Sequence, residues 1–129
     1  MTDRRWVSVA AFWTIAALLV TPLCGIWFSC GCDWPWDRFF LACNAVVDNA
    51  PLPHCPWCTH PFAAVLSIGL AIGAGSLAAW NGPAWPASPG VKILHWLGVT
   101  ATFAGVLSVA GWLTAIATGY PTFLGMTLH

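Results

Sequence analysis

The chain has 129 residues, 59 % of them hydrophobic and only 6 % charged, with four basic and four acidic side chains and neither Glu nor Gln. An ordinary soluble domain carries roughly 25 % charged residues, so this composition excludes a water-soluble monomer, and zero net charge excludes the basic face that nucleic-acid binding needs. What remains is a single-domain integral membrane protein with ten Trp and six Cys to account for.

Residues 6–28 form an uncharged run of 23, which as a helix at roughly 1.5 Å per residue is about 35 Å long. That exceeds a hydrocarbon core of about 30 Å. The run is longer than the roughly 7–15 apolar residues of a secretory signal. Ile26, Trp27 and Phe28 are too bulky for a small-x-small cleavage site, and Thr21, Pro22 and Leu23 make a poor lipoprotein site before Cys24. A retained helix is expected, kinked in its outer third by Pro22, which lacks a backbone donor. After a connection over 29–61, residues 62–80 give a second span of 19. The turn-rich segment 81–92 leads to a third span, 93–120, of 28 residues. This one is longer than the bilayer requires, so it should tilt or project beyond one face. The tail is 121–129. The small residues Gly69 and Gly73, and Ala101, Gly105 and 108–111, predict close helix approach, unless they simply reflect how common Gly and Ala are in membrane helices. The fold class is therefore all-α, with three transmembrane helices.

Arg4 and Arg5 precede the first span and Lys92 opens the third. Three crossings place all of these on one side, which the positive-inside rule makes the cytoplasm. The loop 29–61, with Asp33, Asp37 and Asp48 against a lone Arg38, and the C-terminal tail then face outward, into the periplasm of a Gram-negative cell.

That outer loop is the informative segment. It carries Cys30, Cys32, Cys43, Cys55 and Cys58, and Cys24 lies close by at the outer end of the first span. His54 and His60 bracket Cys55-Pro-Trp-Cys58, and His129 is on the same side. Within the loop, Trp36, Phe40, Cys43 and Val47 recur at helical spacing, predicting a short interfacial helix over 36–47. Trp34, Trp36 and Trp57 suit the headgroup level.

Three readings of the cysteines stand side by side. Cys24, Cys30, Cys32, Cys43, Cys55 and Cys58 form an even set in an oxidising compartment, which suits disulfides that staple the loop; six thiols allow 15 pairings. Alternatively Cys55, Cys58, Cys30 and Cys32, with His54 or His60, offer ligands at metal-binding spacing, and soft thiolates favour Cu or Zn. A CxxC pair also suits thiol–disulfide exchange. In this one outer-loop dithiol the chain resembles the quinone-linked membrane disulfide oxidases of the DsbB and VKOR classes, and the resemblance implies exchange chemistry at Cys55 and Cys58. Those families are built on four helices, whereas this chain has three spans.

His95, three residues into the third span, suits a tetrapyrrole ligand or an interfacial anchor. Covalent haem attachment is excluded, because Thr59 separates Cys58 from His60 where CxxCH is required. No paired intramembrane carboxylate, phosphate loop or nucleophile motif is present. The expectation is a small accessory or assembly subunit of a larger membrane complex concerned with electron transfer or metal loading, without catalytic activity of its own and contacting lipid and other membrane subunits. The alternative is an independent Cu/Zn-handling protein or thiol oxidoreductase.

Overall fold

The computed structural model describes residues 2–30, 54–82 and 87–128. The helices are α1 (Thr2–Phe28), α2 (Pro56–Thr59), α3 (Pro61–Trp80) and α4 (Pro89–Thr118). A hairpin of β1 (Thr122–Phe123) and β2 (Met126–Thr127) follows. Cys32, Cys43, Trp34, the interfacial helix expected over 36–47 and His129 lie outside the described residues.

α1, α3 and α4 are each long and apolar enough to cross a membrane. Their limits follow from capping chemistry. α3 opens on Pro61 and α4 on Pro89, where the missing N–H costs nothing because a first-turn donor has no intrahelical partner. The Ser88 hydroxyl accepts from Val91 N at 3.4 Å and so caps α4. Gly119, at φ 66°, closes that helix in the left-handed conformation that glycine adopts freely. Lys92 and Tyr120 bounded the third span in the sequence. In the structure a cap and a glycine bound it instead, so α4 starts four residues before Ile93 and stops two before Tyr120. α1 runs on through Pro22.

α3 lies between the other two helices, packing most extensively on α4 and next on α1. It buries Ser67, Ala71, Gly75 and Ala79, and α4 buries Val99, Phe103, Leu107, Gly111 and Ala115. Both series repeat every four residues, the ridge along which helices most often interlock. The small side chains of α3 admit the bulk of its neighbours. Phe12 of α1 sits over Gly75 and meets Phe103 edge-on at 5.6 Å. α1 and α3 run antiparallel: Trp6 meets Trp80 at 5.2 Å, and Trp13 Nε1 donates to Ser76 Oγ at 2.9 Å.

Within the described helices the glycines at close contacts are Gly75 and Gly111, and just beyond α3 Gly82 lies against His95. Gly69, Gly73 and Gly105 have nothing within 4 Å of where a Cβ would stand, so the expected Gly69–Gly73 pair and Gly105 face away from the bundle, whereas Gly111, in the expected 108–111 stretch, is buried within it. The outward surface is apolar as well, with Trp6, Val65, Leu70, Leu77, Ile93 and Leu94 all exposed. A helix that is apolar all round fits a hydrocarbon environment.

The two ends of the bundle differ. Arg5 lies over the Trp80 ring at 5.6 Å, and Lys92 stands near the start of α4, so both belong to one end. The opposite end gathers the last turn of α1, α2 and the hairpin. Leu124 and Gly125 both have positive φ at the hairpin tip, as a tight type I′ turn requires. Leu124 N donates to Trp27 O at 2.9 Å, and Tyr120 Oη donates to Phe28 O at 2.8 Å. The tail thereby satisfies two of the carbonyls that every helix C-terminus leaves without intrahelical partners.

Candidate metal centre

Four cysteines converge at this end. Cys24 projects from the last turns of α1. Immediately after the helix stops, Ser29 at φ 51° reverses the backbone, which returns Cys30 to the helix end, its thiol 3.7 Å from Cys24 O and its sulfur 3.7 Å from Cys24 Sγ. On the other side Cys55 caps α2, accepting at Sγ from Cys58 N at 3.3 Å. The single turn of α2 brings Cys58 Sγ to 3.0 Å from Cys55 Sγ. The Thr59 hydroxyl braces this turn by donating to Cys55 O and Pro56 O, both at 3.2 Å. The two halves meet where Cys24 Sγ and Cys55 Sγ lie 3.7 Å apart.

Cys24, Cys30 and Cys55 are buried, with their sulfurs all within 4.8 Å of one another, while Cys58 is only half-buried. The surroundings are aromatic. Trp57 meets Phe28 edge-on at 5.2 Å and Trp27 at 6.2 Å, and Phe28 also meets Tyr120 at 5.7 Å. Phe123 of the hairpin lies 5.8 Å from Phe28 and 6.3 Å from Trp27. Gly111 opens the floor of this aromatic wall: a Cβ there would stand 3.4 Å from both Phe123 and Trp57. Among the described residues Trp57 Nε1 is buried without an acceptor.

This packing sets the charge of the cluster. Cys55 is pulled far below the ordinary thiol range by hydrogen bonds from the Cys24, Cys30 and Cys58 thiols and from Cys58 N–H, which together outweigh the opposing effect of burial. A lowered pKa favours the thiolate, the form that binds metals and attacks disulfides. Tyr120 moves the other way: burial, then the negative charge of Cys30, Cys55, Cys24 and Cys58, pushes its phenol up to about 12.

The separations carry chemical information. A sulfur–sulfur bond is about 2.05 Å, and among the described residues no disulfide is formed. A tetrahedral site with metal–sulfur bonds of about 2.3 Å has sulfur–sulfur edges of about 3.8 Å. The Cys24–Cys30 and Cys24–Cys55 separations, both 3.7 Å, match that edge. Cys55–Cys58, at 3.0 Å, would have to widen to fit it.

Of the residues expected to bind metal, the structure brings together Cys30, Cys55 and Cys58. His54 and His60 are exposed and outside the mutually close group, and Cys32 is not described. Cys24, named in the sequence reading only as a disulfide candidate, supplies a central sulfur. It is 31 residues from Cys55 and inside an apolar run, so no local spacing marks it; its place at the outer end of the span is the one clue. His95 is half-buried against Gly82 and Trp96 and joins no group of three ligating side chains among the described residues. From His95 to Gly111 under the cluster is roughly 24 Å along α4 at about 1.5 Å per residue. Comparison of the chain with protein-family models, with curated proteins and with solved structures gave no match.

Proposed function

We propose that this is a membrane-embedded metal-handling protein whose thiol cluster holds one thiophilic cation, Zn(II) or Cu(I), at the outer end of a three-helix bundle. The observation that carries the reading is the set of three buried sulfurs with two 3.7 Å edges. That spacing suits sulfurs bridged by a metal and is far too long for sulfurs bonded to each other. The thiolate character of Cys55 supports it, since metal ligation requires deprotonated sulfur. The aromatic wall excludes water and competing hard ligands. A site of this kind stores or hands on its ion, which agrees with the accessory, metal-loading role in a larger membrane assembly expected from the sequence. Arg5 and Lys92 stand at the end away from the cluster, which supports a cytoplasmic N-terminus and an extracytoplasmic cluster.

The test is metal content after anaerobic loading of the detergent-solubilised protein, with cobalt(II) as a spectroscopic probe of tetrahedral thiolate ligation. The wild type should hold one equivalent, and Cys24→Ser and Cys55→Ser should lose it while still inserting. A wild type that binds nothing, or serine variants that bind as well as it does, would overturn the reading. A second reading, thiol–disulfide exchange at Cys55–Cys58, is favoured by their 3.0 Å separation. Intact mass of unreduced protein decides between them, because exchange chemistry requires that pair to be isolable as a disulfide that a dithiol reduces.

A further inference from the structure

The four sulfurs are not equivalent. Cys30 and Cys55 are 0 % exposed and Cys24 is 7 %, whereas Cys58 is only half-buried and lies outside the group whose ligand atoms are all within 4.8 Å of one another. It touches that group through Cys55, at 3.0 Å. Its immediate successors Thr59 and His60 are exposed, so the Cys58 sulfur stands at the rim while the other three lie behind it. The aromatic rings of Trp27, Phe28, Trp57, Tyr120 and Phe123, which pack on one another at the same end of the bundle, are all buried.

Resting on the metal reading, we propose that Cys58 is the transfer ligand of the site. Through it the ion is received from, and surrendered to, a thiolate-bearing donor or acceptor, while Cys24, Cys30 and Cys55 form the resident three-sulfur site. Buried sulfurs cannot meet a second protein or a small thiol directly, so among the four described sulfurs exchange has to start at Cys58, which is only half-buried. The step is a ligand substitution. A metal–sulfur bond forms to Cys58 as one donor thiolate–metal bond breaks, and that thiolate leaves with its electron pair and takes up the Cys58 proton. The ion then passes to Cys55, whose sulfur lies 3.0 Å from that of Cys58. No electrons change hands, so no oxidant or reductant is needed. Thiolate is the chemistry that recognises the ion at every stage, because a soft cation prefers sulfur to oxygen or nitrogen.

The experiment uses the full chain in detergent, loaded anaerobically with zinc(II) in one arm and copper(I) in another, with withdrawal by excess dithiothreitol followed in stopped flow. Cys58→Ser should still hold close to one equivalent, yet exchange should slow by at least about tenfold, the scale on which losing one supporting group alters a metal site. Cys24→Ser should fail to hold the ion at all. The proposal is overturned if Cys58→Ser exchanges as fast as the wild type, or if it loses the ion as completely as Cys24→Ser, which would make the four sulfurs equal ligands. Failure of the wild type to load in both arms is a separate result and overturns the metal reading itself.

Discussion

The helix bundle that presents the cluster is held at its middle by one close approach, and replacing Gly75 by alanine tests it. A Cβ at this position would fall inside the ring of Phe12, which is itself 1 % exposed and braced against Phe103, so the ring has nowhere to swing. Gly73, two residues away on the same helix, has open space where a Cβ would stand. Both substitutions gain the same helix propensity, about 0.5–1 kcal/mol, so the difference between the two variants isolates the steric penalty. Overpacking of this kind costs about 1–3 kcal/mol, and Gly75→Ala should be less stable than Gly73→Ala by that amount. Reversible unfolding in mixed micelles, titrated with a denaturing detergent, measures it. Adding Phe12→Leu to Gly75→Ala should recover a coupling of about 0.5–3 kcal/mol, as expected for residues in direct contact. Equal stability of the two alanine variants would refute the packing of α1 on α3, and with it the argument that brings Cys24 to Cys55.

The remaining predictions concern the outer end. The chain has a single tyrosine, so ultraviolet titration reports Tyr120 alone: its phenol should ionise near 12 without metal, and lower once a cation cancels the thiolate charge. Titration at the same pH with and without metal would contradict the contribution assigned to the cysteine charges and leave burial as the cause. The folded value lies above the ordinary 10.0, so the unfolded chain releases the proton first. This group's contribution should therefore be constant below about pH 10 and should weaken the fold as pH rises from there toward 12; a midpoint of unfolding that is flat across that window would count against it. Phe123, 3 % exposed, pins the hairpin against Trp27 and Phe28, and Phe123→Ala should cost about 3–5 kcal/mol and speed alkylation of the buried thiols. Unchanged alkylation would mean that the hairpin does not shield the site.

Much of the architecture was legible in the sequence because the membrane solvent imposes a simple rule. A run of about 20 uncharged residues has to satisfy its own backbone hydrogen bonds, and only a helix does so within one segment. Three such runs therefore read directly as three helices, and the few charges marked their ends. The contacting faces were harder to read. In a soluble helix the polar side identifies the buried side by contrast. Here both sides are apolar, so Gly69 and Gly73 were as eligible as Gly75, and only the fit of Phe12 over α3 distinguishes them.

The site divides in the same way. Sequence alone determined that the chain is rich in thiols near the outer loop, that Cys55 and Cys58 stand three residues apart, and that soft-metal or disulfide chemistry was at stake. It said nothing of which cysteines meet, because Cys24 and Cys55 belong to separate segments and no spacing rule spans a turn between helices. Tertiary structure decided that. The antiparallel packing of α1 on α3 carries Cys24 to the start of α2, the positive φ of Ser29 turns Cys30 inward, and the hairpin closes aromatic rings over them. The same packing left His54 and His60 exposed and outside the close group of ligands, while their neighbours Cys55 and Pro61 cap and start helices. Local chemistry sets which groups a chain owns. Which of them act together is set by the long-range contacts that bury them in common.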